Sequence, residues 1–279
     1  MEHILLSHIA KHLAANNILI DQQHGFRQRF SCETQLISAV NDWAKCINSR
    51  SQTDVILLDF SKAFDSVPHQ RLLLKLDYYG ICGKTAAWIK AFLSNRSQVV
   101  SVNGSHSSSR PVPSGVPQGS VLGPVLFLLY INDITEHIQS TMRLFADDSI
   151  IYREIKNICD HALLQQDLIS LCEWAETWQL NFNISKCYHL GVTNKVVPFS
   201  YNYLMNNVVI AKSASTKYLG VTISHNLSWN QHCDNICNKA NSMLGLLRRV
   251  LSDCSMFKGI YYPCASSTGV CLLSVESIY

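Results

Sequence analysis

No part of this chain is apolar for long enough to cross a bilayer: the longest apolar run, residues 121–131, contains Gly123 and Pro124 and reads as a buried helix. Nor is there a strong excess of either charge. With 23 Lys and Arg against 20 Asp and Glu, the net charge of +3 neither announces nor excludes a polyanionic partner. No secretory leader is read at the start, where Met1-Glu2-His3-Ile4 opens an amphipathic helix. The eleven cysteines are scattered through apolar and helical contexts instead of being spaced as a disulfide framework, so the expectation is an intracellular protein with reduced thiols, its compartment left open. A zinc site is not expected, because Cys233 and Cys237 share a helical face beside His232 but no second ligand pair follows at similar spacing. What is present is 279 residues at 47% hydrophobic content, ample for a core.

Periodicity orders the chain into alternating helices and strands. Residues 2–15 place Ile4, Leu5, His8, Ile9 and Leu13 at helical spacing, with Asn16-Asn17 as the stop, and Ser31 reads as the cap of a helix carrying Leu36, Val40, Trp43, Ala44 and Ile47. Residues 54–60 form a β-rich run, buried on both faces if central, that ends in Asp59. Two helices near 69–79 and 85–93 precede a hairpin over 98–112 that turns at Asn103-Gly104. Ser120 is positioned to cap the next helix, with Pro124 in its first turn. Residues 142–152 read as strand, tight turn and strand with Asp147 and Asp148 in the turn, and a long helix follows over 160–178. Short strands near Leu190, 208–210 and 218–223 are expected to complete the sheet, and a last helix over 230–250 to turn Ile236, Ala240, Leu244 and Leu247 inward.

Three stretches carry the chemistry: Leu58-Asp59-Phe60-Ser61-Lys62-Ala63-Phe64-Asp65, Ser114-Gly115-Val116-Pro117-Gln118-Gly119-Ser120, and Phe145-Ala146-Asp147-Asp148. The first and third place carboxylates at strand ends far apart in sequence. Two hard cations about 3.5 to 4 Å apart, holding a triphosphate and a primer hydroxyl, need such oxygens. Asp is also common in tight turns for backbone reasons, so the pair alone would not decide the matter.

With Gln23-His24-Gly25-Phe26-Arg27, Asn183-Ile184-Ser185-Lys186 and Tyr218-Leu219-Gly220 in the same order, residues 17–225 resemble the reverse transcriptases of non-LTR (LINE-type, jockey-like) retrotransposons. The resemblance implies an α+β right-hand polymerase palm built on an antiparallel sheet, with partial fingers over 1–52, palm with inserted fingers helices over 53–225, the start of a thumb over 226–262 and a divergent tail over 263–279. It implies RNA-directed DNA polymerase activity on deoxynucleoside triphosphates, an RNA template and a DNA primer, with two Mg2+ ions, Mn2+ as a substitute, and no membrane.

The same resemblance assigns roles. Asp59, Asp147 and Asp148 would be the metal ligands, Asp148 the more accessory, with the carbonyl of Phe60 as a further oxygen. Phe64 would lie under the sugar and exclude a 2′-hydroxyl; its alternative is a core ring beside Ala63. Gly115, Pro117, Gln118 and Gly119 would bring backbone and an amide to the nucleotide, or else form a flexible helix entry. Lys186 would protonate the leaving pyrophosphate or remain a solvated lysine. Ala146 would lie against nucleic acid and Tyr218, Leu219 and Gly220 would grip the primer end, unless they are core strand. Arg27 would touch template phosphates. Asp65 has no chemical role beyond a local cap or turn.

Two further readings stay open. A palm polymerase that makes RNA would want a polar residue in place of Phe64, and an inactive retroelement remnant would keep the carboxylates yet not polymerise. Beyond Pro263 the family pattern stops; Ser274 to Tyr279 can be encoded so that a one-base shift gives Leu-Trp-Asn-Pro-Tyr, as relatives read, so the expectation is a frameshifted tail, poorly packed from about Cys264 onward.

Overall fold

Strand β1, Gln52–Leu58, is buried along almost its whole length because it has neighbours on both edges and packing on both faces. The computed structural model describes residues 1–250. In chain order the elements are α1 (Glu2–Ala15), α2 (Cys32–Asn48), β1, α3 (Ala63–Ser66), α4 (His69–Tyr78), α5 (Gly83–Leu93), β2 (Ser97–Gln98), β3 (Ser101–Val102), β4 (Ser105–His106), β5 (Arg110–Pro111), α6 (Gly123–Ile131), β6 (Thr141–Phe145), β7 (Asp148–Ile155), α7 (Ile158–Trp178), β8 (Tyr188–Val192), β9 (Leu204–Met205), β10 (Val208–Val209), β11 (Ala211–Lys212), β12 (Ser215–Tyr218), β13 (Val221–Ser224) and α8 (Asn230–Val250).

The main sheet runs β11-β8-β1-β7-β6, antiparallel except for the β11 edge. Side-chain alternation on β1 divides the packing into two layers. Ile56 and Leu58 face a core with Leu72, Leu76, Leu126, Phe127, Leu164 and Leu168, contributed by α4, α6 and α7. Val55 faces the other way, with Ile150, Tyr152 and Leu190, against Ala39 and Trp43 of α2 and Tyr218 and Ile223 of β12 and β13. The expected α+β palm with an antiparallel sheet is therefore present.

Local chemistry explains most boundaries. Ser31 caps α2 in a reciprocal box with Thr34, and Asn157 does the same for α7 with Asp160. Glu2 accepts hydrogen bonds from Val121 N (2.9 Å) and Leu122 N (3.2 Å) at the entry to α6, where a carboxylate is favoured.

Several expectations are corrected. Residues 208–210 and 218–223 do not join the sheet. Asn206 and Asn207, both at positive φ, fold β9 and β10 into their own hairpin, and Leu219-Gly220 does the same for β12 and β13. Only β11 adds to the sheet, in parallel with β8. On α1, Ile9 and Leu13 are buried while Ile4 and His8 are exposed. The apolar residues of α8 expected to turn inward, Ile236, Ala240, Leu244 and Leu247, are exposed, and no residue of that helix is buried. The chain divides into one unit over Met1–Trp229 and a second from Asn230 onward. The tail expectation, from Cys264, lies outside the described residues. No described helix is long and apolar enough to cross a membrane.

β1 also holds a polar surprise. Asp54 is fully buried and accepts hydrogen bonds from Tyr203 (2.8 Å) and Gln52 (2.7 Å), with His161 at 3.2 Å and His189 at 3.4 Å. Burial opposes ionisation, but the bonds and charge from His189, with Gln52 and Tyr203, hold its carboxyl below the usual range.

Candidate active site

The carboxylates meet at one end of the sheet. Asp59 follows the last residue of β1, and Leu58 pairs with Ser149, so the β6–β7 turn lies beside that strand end. Asp148 is the first residue of β7, paired with Phe145, and not a turn residue as expected; Ala146 and Asp147 alone form the turn. Only Ala146 has positive φ, 55°, the requirement of a II′ turn.

The charge of Asp59 reaches both Asp147 and Asp148. Asp147 is pushed above the usual carboxyl range by desolvation and by the charge of Asp59, against one backbone hydrogen bond that lowers it. Asp148 is pushed up by desolvation, then by Asp147 and Asp59. Such unrelieved negative charge from hard oxygen donors fits a divalent cation, which removes the repulsion by binding it. Among the described residues, no three such side chains already form a cage.

A second set of contacts attaches the remaining residues to Asp59. Phe60 and Phe182 form an isolated antiparallel bridge and stack at 4.5 Å. Its flanking bonds, Asn183 N to Asp59 O and Ser61 N to Asn181 O, are both 2.7 Å. These flanking groups carry the bridge, which leaves the Phe60 carbonyl outside it. The turn over Ile184–Lys186 follows directly and brings Lys186 Nζ to 3.9 Å from Asp59 Oδ2.

Phe64 is half-buried, stacks on Phe127 at 4.3 Å and meets Phe26 edge-on at 6.4 Å. Phe26, 61% exposed after Gly25, is a ring the sequence reading did not single out; an aromatic that stays in water beside the candidate sugar platform is the signal it offered. The 115–119 loop is bound to α3: Val116 N donates to Phe64 O (2.8 Å), Ser114 Oγ to Asp65 O (2.9 Å) and exposed Gln118 Nε2 to Asp65 Oδ1 (3.1 Å). Asp65 thus has a role after all, as the tether of Gln118. Gly115 is needed at φ 93° because a Cβ there would lie 2.7 Å from Asp65 O, so its freedom serves this packing before any base pair. Pro117 O accepts from Ser120 Oγ (2.7 Å), which itself accepts from Gly123 N (3.0 Å), while Gly119 at φ 81° faces open space.

Two assignments change character. Arg27 donates to Ile20 O (2.6 Å) and Gln23 O (3.2 Å) and lies over Phe30, so its guanidinium fastens its own loop. Tyr218 is buried in the α2-side core and its hydroxyl accepts from Gln35 (3.1 Å), so its ring is not available to a primer. Burial raises its phenol against the hydrogen bond with Gln35, and the charge of Asp148 raises it further.

Comparison with known proteins identifies the family of the chain. Residues 1–223 match the family described as reverse transcriptase (RNA-dependent DNA polymerase). The chain is 30% identical over 245 residues to the RNA-directed DNA polymerase from mobile element jockey of Drosophila melanogaster, covering 85% of this chain and 26% of that protein. It is 26% identical over 288 residues to the probable RNA-directed DNA polymerase from transposon BS of the same organism, covering 95% and 31%. The chain therefore spans between a quarter and a third of the length of these curated relatives. A telomerase from Candida tropicalis, solved with a TWJ fragment of telomeric RNA, shares the fold at a TM-score of 0.55 and 12% identity over 81% of this chain and 36% of that one. With the carboxylates, the 115–119 loop and Lys186 all inside the matched span, the chain belongs to the reverse transcriptase family, as a domain of the jockey-like non-LTR retrotransposon type.

Proposed function

We propose that this chain is the catalytic core of an RNA-directed DNA polymerase, adding deoxynucleotides from their triphosphates to a primer 3′-hydroxyl on an RNA template. The observation that carries the reading is the gathering of Asp59, Asp147 and Asp148 at the ends of neighbouring strands, with the pKa values of Asp147 and Asp148 raised by desolvation and by like charge. Asp59, Asp147 and Asp148, with the Phe60 carbonyl, would hold two Mg2+ ions, or Mn2+. When bound, such ions neutralise charge on the attacking and leaving oxygens of an in-line displacement.

The protein's own groups do the rest. Lys186, beside Asp59, supplies an ammonium where negative charge develops on the leaving phosphate. Phe64, backed by Phe127, presents a ring edge that collides with a 2′-hydroxyl. Gln118, tethered by Asp65, offers an amide to nucleotide or template, and the Leu219-Gly220 turn supports the primer end.

The test is single-nucleotide extension of a DNA primer annealed to RNA, using the purified 279-residue chain. Extension with deoxynucleotides that Asp147→Asn abolishes supports the reading. A folded chain that extends nothing, or an Asp147→Asn variant that still extends, refutes it.

A further inference from the structure

We infer that Gln23 is a positioning residue for the metal-binding turn, holding Ala146 in the left-handed conformation that aims Asp147 and Asp148. This rests on the polymerase reading of the site. Gln23 is 2% exposed, and its carboxamide takes both polar groups of Ala146: Oε1 accepts from Ala146 N (2.9 Å) and Nε2 donates to Ala146 O (3.3 Å). Oε1 also accepts from Gly25 N (2.7 Å), which fixes the amide's orientation.

The surrounding backbone makes this a fitted joint. Leu144 N donates to Gln22 O (2.9 Å) and His24 N to Leu144 O (2.8 Å), so the segment around Gln23 pairs in parallel with the free edge of β6. Gly25 then passes so close to the turn that a Cβ would lie 2.2 Å from Ala146 N. A non-glycine residue at positive φ is strained and persists only where its surroundings hold it. Here the holding group is one side chain 123 positions away, and the residue held immediately precedes two of the three candidate ligands. Groups that orient metal ligands in this indirect way characteristically change metal affinity when removed.

The experiment uses the full chain and does not depend on turnover. Mn2+ binding is followed by electron paramagnetic resonance, and backbone amide exchange is followed at Ala146. In the unmodified chain the Ala146 amide should be as protected as the β1–β7 ladder. Gln23→Met, which keeps the volume but loses the bonds, should weaken Mn2+ binding about tenfold. Adding Ala146→Gly should recover part of that loss, because glycine holds positive φ without a brace; a merely structural glutamine would show no such rescue. Unchanged Mn2+ affinity in Gln23→Met, a loss that Ala146→Gly does not touch, or an unprotected Ala146 amide each overturns the inference. Failure of the polymerase reading looks different: the unmodified chain would bind no Mn2+, while amide protection would still report on the brace.

Discussion

Lys186 Nζ stands 3.9 Å from Asp59 Oδ2, although 127 positions separate the two residues; the Phe60–Phe182 bridge and the β1–β8 ladder that starts at Leu57–Tyr188 bring the segments together. Both side chains reach solvent, so the pair contributes little to stability. Its geometry matters for chemistry instead. If the ammonium assists departure of the leaving phosphate, Lys186→Leu should lower the maximal extension rate about a hundredfold with little change in deoxynucleotide KM. Rapid-quench kinetics separates the two constants; a raised KM at unchanged rate would make Lys186 a binding residue only.

Phe64 has Phe127 behind it at 4.3 Å and cannot retreat from a sugar without disturbing a buried ring. Phe64→Val should therefore raise ribonucleotide insertion strongly while deoxynucleotide insertion falls much less. The ratio of the two kcat/KM values measures this. An unchanged ratio would return Phe64 to the core and reopen the RNA-polymerase reading.

The raised carboxyls give the metal site a pH dependence with a definite sign. Asp147 and Asp148 hold their protons to higher pH than ordinary aspartates, and protons compete with cations for the same oxygens. Apparent Mn2+ affinity should fall as pH falls through that raised range, before an ordinary carboxylate site would weaken. Asp59→Asn removes a like charge from both neighbours, so their carbon-13 carboxyl titrations should move to lower pH even as extension is lost. Titrations that stay in place would mean Asp59 is electrostatically remote.

The blocks that announced the site were legible because each is a local run whose backbone role, strand end or tight turn, is written in adjacent residues. Asp59 follows β1 and Asp147 lies in the β6–β7 turn as their local runs predict, Asp148 opens β7 instead, and Lys186 is singled out by the resemblance alone. What was not legible depends on contacts across the chain. Gln23 opens one of the blocks that carry the resemblance, but nothing in its own segment gives it a role until Ala146 is found against it, and Asp54 reads as the polar start of an apolar strand until His161, His189 and Tyr203 surround it. Strand membership failed at Asn206-Asn207 and Leu219-Gly220, where the sequence shows two β-rich runs but turn geometry pairs each with its own neighbour. Periodicity likewise placed an apolar stripe on α8 without saying whether anything covers it.

Tyr218 illustrates the same limit and yields a test. Since its hydroxyl meets Gln35 inside the core, Tyr218→Phe should cost about 1 kcal/mol of stability and leave primer affinity unchanged. Gly220→Val places a branched side chain at φ 86°, in open space but in strained backbone, and should deform the turn. Loss of primer affinity in Gly220→Val but not in Tyr218→Phe, measured by fluorescence anisotropy, would locate primer support in the turn backbone. The reverse order would restore the ring to that role.

Lys75 provides a stability test independent of catalysis. Its ammonium is buried, donates to Tyr130 O and to Asp133 Oδ1 (2.5 Å), and lies 3.7 Å from the Trp178 ring centre. Desolvation outweighs the attraction of Asp133 and lowers its pKa from 10.5 to about 8. Between those values the unfolded chain binds more protons at this group than the folded one, so stability rises with pH there. Below about pH 8 the cost of burying the charge is fully present, and above 10.5 it is gone. The shift caps the gain at about 3 kcal/mol. Tyr79, Tyr130 and Tyr152, raised by burial, act in the opposite direction once unfolded phenols ionise near pH 10, so the comparison must be made against a variant. Lys75→Met keeps most of the volume, and Trp174 Nε1 still donates to Asp133 (2.9 Å). The difference in urea midpoint between the unmodified chain and Lys75→Met should therefore move in favour of the unmodified chain as pH rises from 8 to 10. A difference that stays flat across that interval would show that Lys75 keeps its proton in the folded state, with the aromatic rings and Asp133 outweighing its desolvation.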